Sequence, residues 1–410
     1  MAARVSGLRG ADVSKSNIEW TEQTWNPIVG CSIVSPGCTN CYAMKTAARN
    51  EAMGISRYDG TTRVVNGNPV WTGKLAQAPE STLLQPLKRK KPTTYFVNSM
   101  GDLFHEDCPD AWIDRVFAVM ALTPQHTYQV LTKRAQRMRE YLSDDDVVER
   151  IAISAHKLWA AKLAPASTGN LSIEVVRDDD ELKHVIETLR LWPLPNVWLG
   201  VSTERQQEAD ERIPLLLQTP AAVRFISAEP LLGPLDVRPW LSDESGCEHC
   251  DDDDGGGTPR CHRDNIARVE QCPEKFAVFE HDEGPLDVDG APAWIRPRRI
   301  SLDWVIVGGE SGLGARPMHP DWARSLRNQC AAACVAFFMK QWGEWRQRDC
   351  VHVARQHAVF EPDGSCTVGV GPGTAVDSLR THVVVERMGK HAAGRLLDGV
   401  EHNAMPEVRS

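Results

Sequence analysis

Between Thr24 and Ala43 the chain reads TWNPIVGCSIVSPGCTNCYA, which sets Cys31, Cys38 and Cys41 in a C-x6-C-x2-C pattern. Thiolates are soft donors suited to zinc or to iron-sulfur clusters, and three of them are one short of a closed tetrahedral zinc site or a fully ligated cubane. With zinc, no histidine lies inside the motif, so the fourth ligand comes from elsewhere or water takes an open catalytic position. With a 4Fe-4S cluster, one iron is left to bind a substrate or cofactor. Gly30 and Gly37 let the backbone curl closely, Pro36 stiffens the loop, and Tyr42 can shield the last sulfur. A structural zinc knot, or three unrelated thiols, is the competing reading.

A second set, Cys247, Cys250, Cys261 and Cys272, is spaced C-x2-C-x10-C-x10-C, with His249 and His262 as alternative ligands. It lies in a stretch rich in Gly, Pro and Asp, which has too little apolar sequence for a core of its own. Structural zinc would staple such a stretch. A second cluster or unligated thiols are the alternatives.

These candidates need a scaffold. Six segments, TYFVNSMGD, TYQVLTKR, NVWLGVSTE, VRFISAEP, DWVIVGGES and VAFFMKQWGE, run through β-branched or aromatic residues and stop at polar ones. They read as buried parallel strands. Helical spacing falls between them, as in Ile113, Val116, Phe117 and Met120 after Pro109, and in Trp322, Leu326 and Cys330. With NPIVG as a first strand, the expected fold class is α/β, a partial or complete (β/α) barrel of about six to eight strands. An open doubly wound sheet competes with it. The organisation expected is an N-terminal extension (1–23), a barrel (24–345) and a β-rich appendage (346–410), with insertions at about 141–194 (helical and exposed) and 238–299 (cysteine-rich).

In either α/β architecture ligands gather at the carboxyl ends of the strands. The residues there include Ser99 and Asp102, Lys133, Ser202 and Glu204, Ser227 and Glu229, Glu310, and Lys340. Each alone is as well explained by a helix cap or a solvated turn; six such endings together point to a site.

Composition narrows the function classes. The 42% hydrophobic content over 410 residues supports a large core, and the net charge of -9 argues against a wholly basic nucleic-acid binder. No secretory signal and no membrane span are read in the sequence, so a cytoplasmic location without membrane contact is expected. In a reducing compartment, clustered cysteines read as metal ligands.

A three-cysteine loop after the first strand of a (β/α) barrel, ending C-x2-C-aromatic, resembles the radical S-adenosylmethionine superfamily, whose usual spacing is C-x3-C-x2-C. More closely, the string Ile18 to Ala43 resembles an uncharacterised three-Cys-motif family of phages and bacteria, together with SMGDLFHED, LTKR, VWLGVSTE, ISAEPLLGP, WVIVGGESG, FFMKQWGEW and GKHAAGRLLDG. The resemblance implies a 4Fe-4S cluster on Cys31, Cys38 and Cys41, S-adenosylmethionine on the open iron, and a reductant protein such as flavodoxin or ferredoxin. It implies cofactor contacts by Ser99 and Asp102 (methionine amino group) and by Ser202 and Glu204 (ribose). Glu229 and Glu310 are further candidates for the cofactor, Glu310 toward adenine or substrate, and Lys133 and Lys340 offer cations to an acidic substrate or the cofactor carboxylate. Nucleic acid enters as a substrate through the basic runs Leu87–Pro92 and Lys133–Arg139. A zinc-stapled nucleic-acid- or partner-binding protein without chemistry is the alternative, and a zinc hydrolase ranks behind both.

Overall fold

The computed structural model describes residues 18–164, 169–178, 181–241, 300–347, 356–361, 364–370 and 382–406. Seven parallel strands form one sheet in chain order: β1 (Gln23–Trp25), β2 (Thr94–Val97), β3 (Thr127–Thr132), β4 (Val197–Ser202), β5 (Val223–Ala228), β6 (Trp304–Gly308) and β7 (Ala336–Gln341). Each new strand adds on the same side of the last, so right-handed crossovers put the connecting helices on one face and the sheet curls away from them. The result is an open half-barrel, the partial form of the expected barrel.

Among the described residues the helices of two turns or more are α1 (Tyr42–Ala52), α2 (Asp110–Ala121), α3 (Ala135–Leu142), α4 (Val147–Ala160), α5 (Gln206–Leu217) and α6 (Pro320–Ala332). Strand residues alternate between the two faces, as the pleat requires. Val197, Leu199 and Val201 of β4, and Val305 and Val307 of β6, join Ile113, Val116 and Phe117 of α2 in the main core. Trp198, Phe225, Trp304 and Phe338 face the other way and fill the concave side with Trp20. Trp304 centres this plug, with the rings of Trp20, Trp198 and Phe338 each 6.0 Å away and Phe225 at 5.6 Å. Its indole N–H donates to the Ala404 carbonyl at 2.9 Å, and residues 402–403 pair with the outer edge of β7. Gly200 completes the packing, since a Cβ there would lie 2.5 Å from the Phe225 ring. Trp304→Ala should therefore lower stability by about 3–5 kcal/mol, the usual cost of emptying a buried aromatic site. A denaturant midpoint within error of wild type would show that the plug does not hold the barrel.

Four sequence expectations change. The first strand is Gln23–Trp25 rather than NPIVG: Trp25 registers with Val97, and Ile28–Val29 instead pairs antiparallel with Ala76–Gln77. Pro27 has no N–H to continue the ladder. Ile18 and Trp20, assigned to an N-terminal extension, belong to the concave plug. The insertion at 141–194 is only half helical: after α4 comes an antiparallel hairpin, Leu171–Asp178 with Glu181–Leu189, as befits the alternating β-branched residues of LSIEVV. Nor is α4 exposed, because Ile151, Ala152, Ala155 and Leu158 are buried in the main core. The appendage is β-rich as expected, a four-stranded antiparallel sheet ordered Trp345–Gln347, Val383–Arg387, Gln356–Phe360, Cys366–Val370. Cys247, Cys250, Cys261 and Cys272 lie outside the described residues. Among the described residues, no helix is long and apolar enough to cross a membrane.

Candidate functional site at the strand ends

The cysteine loop follows β1 and lies at the carboxyl ends of the strands, where Gly30 bridges Gly101 beyond β2 and the Cys31 carbonyl accepts from Gly73 N–H at 3.1 Å. Three long-range anchors fix it. Glu204, fully buried just beyond β4, accepts from Ser35 Oγ at 2.7 Å, from the Lys133 ammonium, and from Arg212 at 3.0 Å. A Cβ on Gly37 would stand 2.2 Å from the same carboxylate, so only glycine lets loop and carboxylate meet.

Glu310, beyond β6, makes the second anchor. Its oxygens accept from Arg316 Nε at 2.9 Å, Arg316 Nη2 at 2.6 Å and Asn40 Nδ2 at 3.0 Å. The same guanidinium donates to the Pro36 carbonyl at 3.0 Å. The bidentate pair therefore grips the loop at Pro36 and Asn40.

Arg134 is the third. It donates to Asp102 at 3.0 Å and to Ser32 Oγ at 2.7 Å, and its Nη1 is 3.6 Å from Cys31 Sγ. His105 Nδ1 accepts from the Asp107 N–H at 3.1 Å, which puts the ring proton on Nε2, 2.9 Å from Ser32 Oγ. Ser32 thus accepts from two donors. Tyr42 OH adds a bond to the Ser99 carbonyl at 2.9 Å.

The thiols differ in character. Burial, together with the Asp102 charge, pushes Cys31 up to about 12 despite the opposing pull of Arg134. Burial also raises Cys41. At Cys38 burial acts upward too, but the Lys133 ammonium and bonds from Val34 and Ser35 outweigh it and lower the thiol. Cys31 is raised further by the charges of Cys38 and Cys41, and Cys41 by that of Cys38. Burial pulls Lys133 down to about 8, against the attraction of Cys38. Val29, Met44, Trp71 and Met100 pack beside Cys31 and Cys41 and wall off one side of the loop from water. Among the described residues, no three His, Cys, Asp or Glu groups stand close enough together to hold a metal ion, so the thiols share a neighbourhood without forming a closed ligand set.

The family model for a protein of unknown function, DUF5131, matches residues 15–406. The chain belongs to the DUF5131 family. No curated protein and no solved structure matches it.

In this DUF5131 chain the strand-end residues picked from sequence do come together, but many of them hold the loop rather than face open space. Asp102 is saturated by Thr132 Oγ1 at 2.7 Å, by Arg134, and by the backbone N–H groups of Phe104 and Lys133. Ser99 donates to Asn26 Oδ1 at 3.1 Å. Both oxygens of Glu204 and both of Glu310 are taken. Lys133 pairs with Glu204, and Lys340 with Glu229 at 2.7 Å, so neither lysine is a free cation. Ser202 and Ser227 stand side by side in register on β4 and β5.

Sequence reading passed over Ser32, Ser35, Asn40, His105, Arg134, Arg212 and Arg316. Only Ser32, Ser35 and Asn40 carried a signal, by lying inside the cysteine loop. The run Lys133–Arg139 is no open basic surface: Arg134 is buried, and Arg137 pairs with Asp110.

The site also predicts a pH response. Burial and Arg134 hold His105 below its ordinary 6.5, and burial does the same for His126, His319 and His402. A histidine kept neutral by the fold contributes stability that is complete above the unfolded value and is lost as pH drops through 6.5 toward the lowered one. The melting temperature should therefore fall between pH 6.5 and about 5, above the carboxylate range. A melting temperature that stays flat or rises across that window would contradict the assignment.

Proposed function

We propose that this DUF5131 protein is a radical S-adenosylmethionine-type enzyme of the cytoplasm, with Cys31, Cys38 and Cys41 holding a 4Fe-4S cluster and a flavodoxin- or ferredoxin-like protein as reductant. The observation that carries the reading is the placement of three free thiols on an anchored loop at the carboxyl ends of a parallel half-barrel. The donor chemistry fits: three thiolates suit iron and leave one coordination corner to a cofactor. When bound, a cluster with S-adenosylmethionine supplies reductive cleavage of that molecule's carbon–sulfur bond.

The chain's own residues do the positioning. Glu204, Glu310 and Arg134 set the loop's place, Arg134 aims an N–H at Cys31 Sγ, and the apolar wall behind Cys31 and Cys41 limits water. Protein purified without oxygen should carry iron and sulfide and, with dithionite and S-adenosylmethionine, form 5'-deoxyadenosine. A protein that stays free of both elements after reconstitution would refute the reading.

A second reading draws on the same anchors. Asp102, Glu204 and Glu310 are consumed in holding the loop, as expected if the loop is a structural zinc knot in a partner- or nucleic-acid-binding protein without chemistry. That reading predicts zinc in place of iron and no 5'-deoxyadenosine.

A further inference from the structure

The surface beside the cysteine loop has a charge opposite to that of the chain as a whole. Residues 42–78 carry five Lys or Arg and two Asp or Glu, whereas the chain's net charge is -9. Helix α1 starts directly after Cys41 and buries Ala43, Met44 and Ala47. That leaves Tyr42, Lys45 and Arg49, at i, i+3 and i+7, exposed along the opposite face. The antiparallel ribbon Thr62–Val65 with Asn68–Trp71 packs against α1. Its tip, Asn66-Gly67 at φ 48° and 76°, is a tight turn that projects Arg63 and Val64, the latter 76% exposed. Among the described residues, no ion pair joins Lys45, Arg49 or Arg63 to a carboxylate. Glu51, the acidic residue of α1, is turned inward to accept from Gly60 N–H at 2.8 Å.

Tyr42 ties this face to the site. Its hydroxyl is fixed to the Ser99 carbonyl, yet the residue is 56% exposed, so the ring presents a flank to solvent next to the last cysteine. Unpaired cations at helical spacing, an exposed aromatic ring and a projecting two-stranded ribbon are what a flexible polyanion with stackable bases requires. An acidic protein would use the cations but has no need of the ring.

We propose that α1 and the 62–71 ribbon form a binding surface for single-stranded nucleic acid, which tracks its phosphates along Lys45, Arg49 and Arg63 and brings a base onto Tyr42 at the edge of the cysteine loop. This names the substrate class of the site proposed above and rests on that reading only for what happens after binding. The other basic run, Leu87–Pro92, precedes β2 and so belongs to the opposite end of the barrel.

The test is fluorescence anisotropy of labelled oligothymidylate and oligouridylate with the full chain, without reductant or S-adenosylmethionine, across a salt series. Wild type should bind at least one of them in a salt-sensitive manner. The combined variant Lys45→Ala, Arg49→Ala, Arg63→Ala should bind at least about tenfold more weakly, with the log–log salt slope reduced by about 2, as loss of three phosphate contacts on a single strand implies. Replacing Lys88, Lys90 and Lys91 by alanine should leave both quantities unchanged. Equal affinity in the two variants, or a requirement for the Lys88–Lys91 run, would overturn the proposal. So would binding of polyglutamate at Lys45, Arg49 and Arg63 with no binding of either oligonucleotide, which would indicate an acidic protein partner. Because 5'-deoxyadenosine formation is assayed separately, failure to bind and failure of the radical chemistry are told apart.

Discussion

Glu204→Ala is expected to lower stability by about 3–5 kcal/mol, because it removes one partner of a buried charge cluster and leaves the others uncompensated. The carboxylate is 0% exposed and faces both Lys133 and Arg212, so two cations would be stranded at once. Lys133 is already drawn down to about 8 by burial and can shed its proton; Arg212 cannot. Without its counter-charge Lys133 titrates lower still, so the variant should regain part of its loss relative to wild type as pH rises toward 8 but not all of it. Ser35 also loses its acceptor, so the loop should loosen and the reactivity of Cys38 toward a thiol reagent should rise. Denaturant midpoints with thiol labelling give both readouts. A loss under about 1 kcal/mol, with labelling unchanged, would mean that Glu204 does not anchor the loop.

Gly37→Ala is the second large effect, and it needs only one methyl group. The new Cβ would sit 2.2 Å from Glu204 Oε1 and 2.5 Å from its Cγ, and that side chain is held by its own ion pairs and cannot step aside. The loop must move instead, carrying Cys38 with it. Iron bound after anaerobic reconstitution should then fall as far as in Cys38→Ser, while Gly233→Ala, whose new Cβ would have its nearest neighbour at 3.8 Å, should load like wild type. Full loading of the Gly37 variant would show that the loop's seat on Glu204 is not what sets the cysteines.

Much of the frame was legible because a buried parallel strand writes its own signal. TYQVLT, VWLGVS and WVIVG are runs that only a two-sided core accepts, and each stops at the polar residues that mark a barrel's carboxyl rim. The hairpin at 171–189 was missed because a charged stretch of mixed periodicity fits an exposed helix as well as a strand pair. Strand β1 was displaced because three residues carry too little pattern. The site was legible only as a list of residues: Ser35 meets Glu204 across 169 positions and Asn40 meets Glu310 across 270. Nothing local distinguishes a glutamate that waits for a ligand from one that already grips a distant loop. Arg134 illustrates the converse, since a basic run reads as surface until a buried Asp102 is found beside it.

The bond from Trp304 to Ala404, with residues 402–403 laid along β7, has a consequence for biosynthesis. All seven strands have left the ribosome once Gln341 is out, yet the last of them keeps a naked hydrogen-bonding edge, and the tryptophan lacks its acceptor, until the appendage has been made as well. Such an edge can recruit a neighbouring nascent chain. Polypeptides halted between Gln341 and His402 should accordingly be the ones that clump.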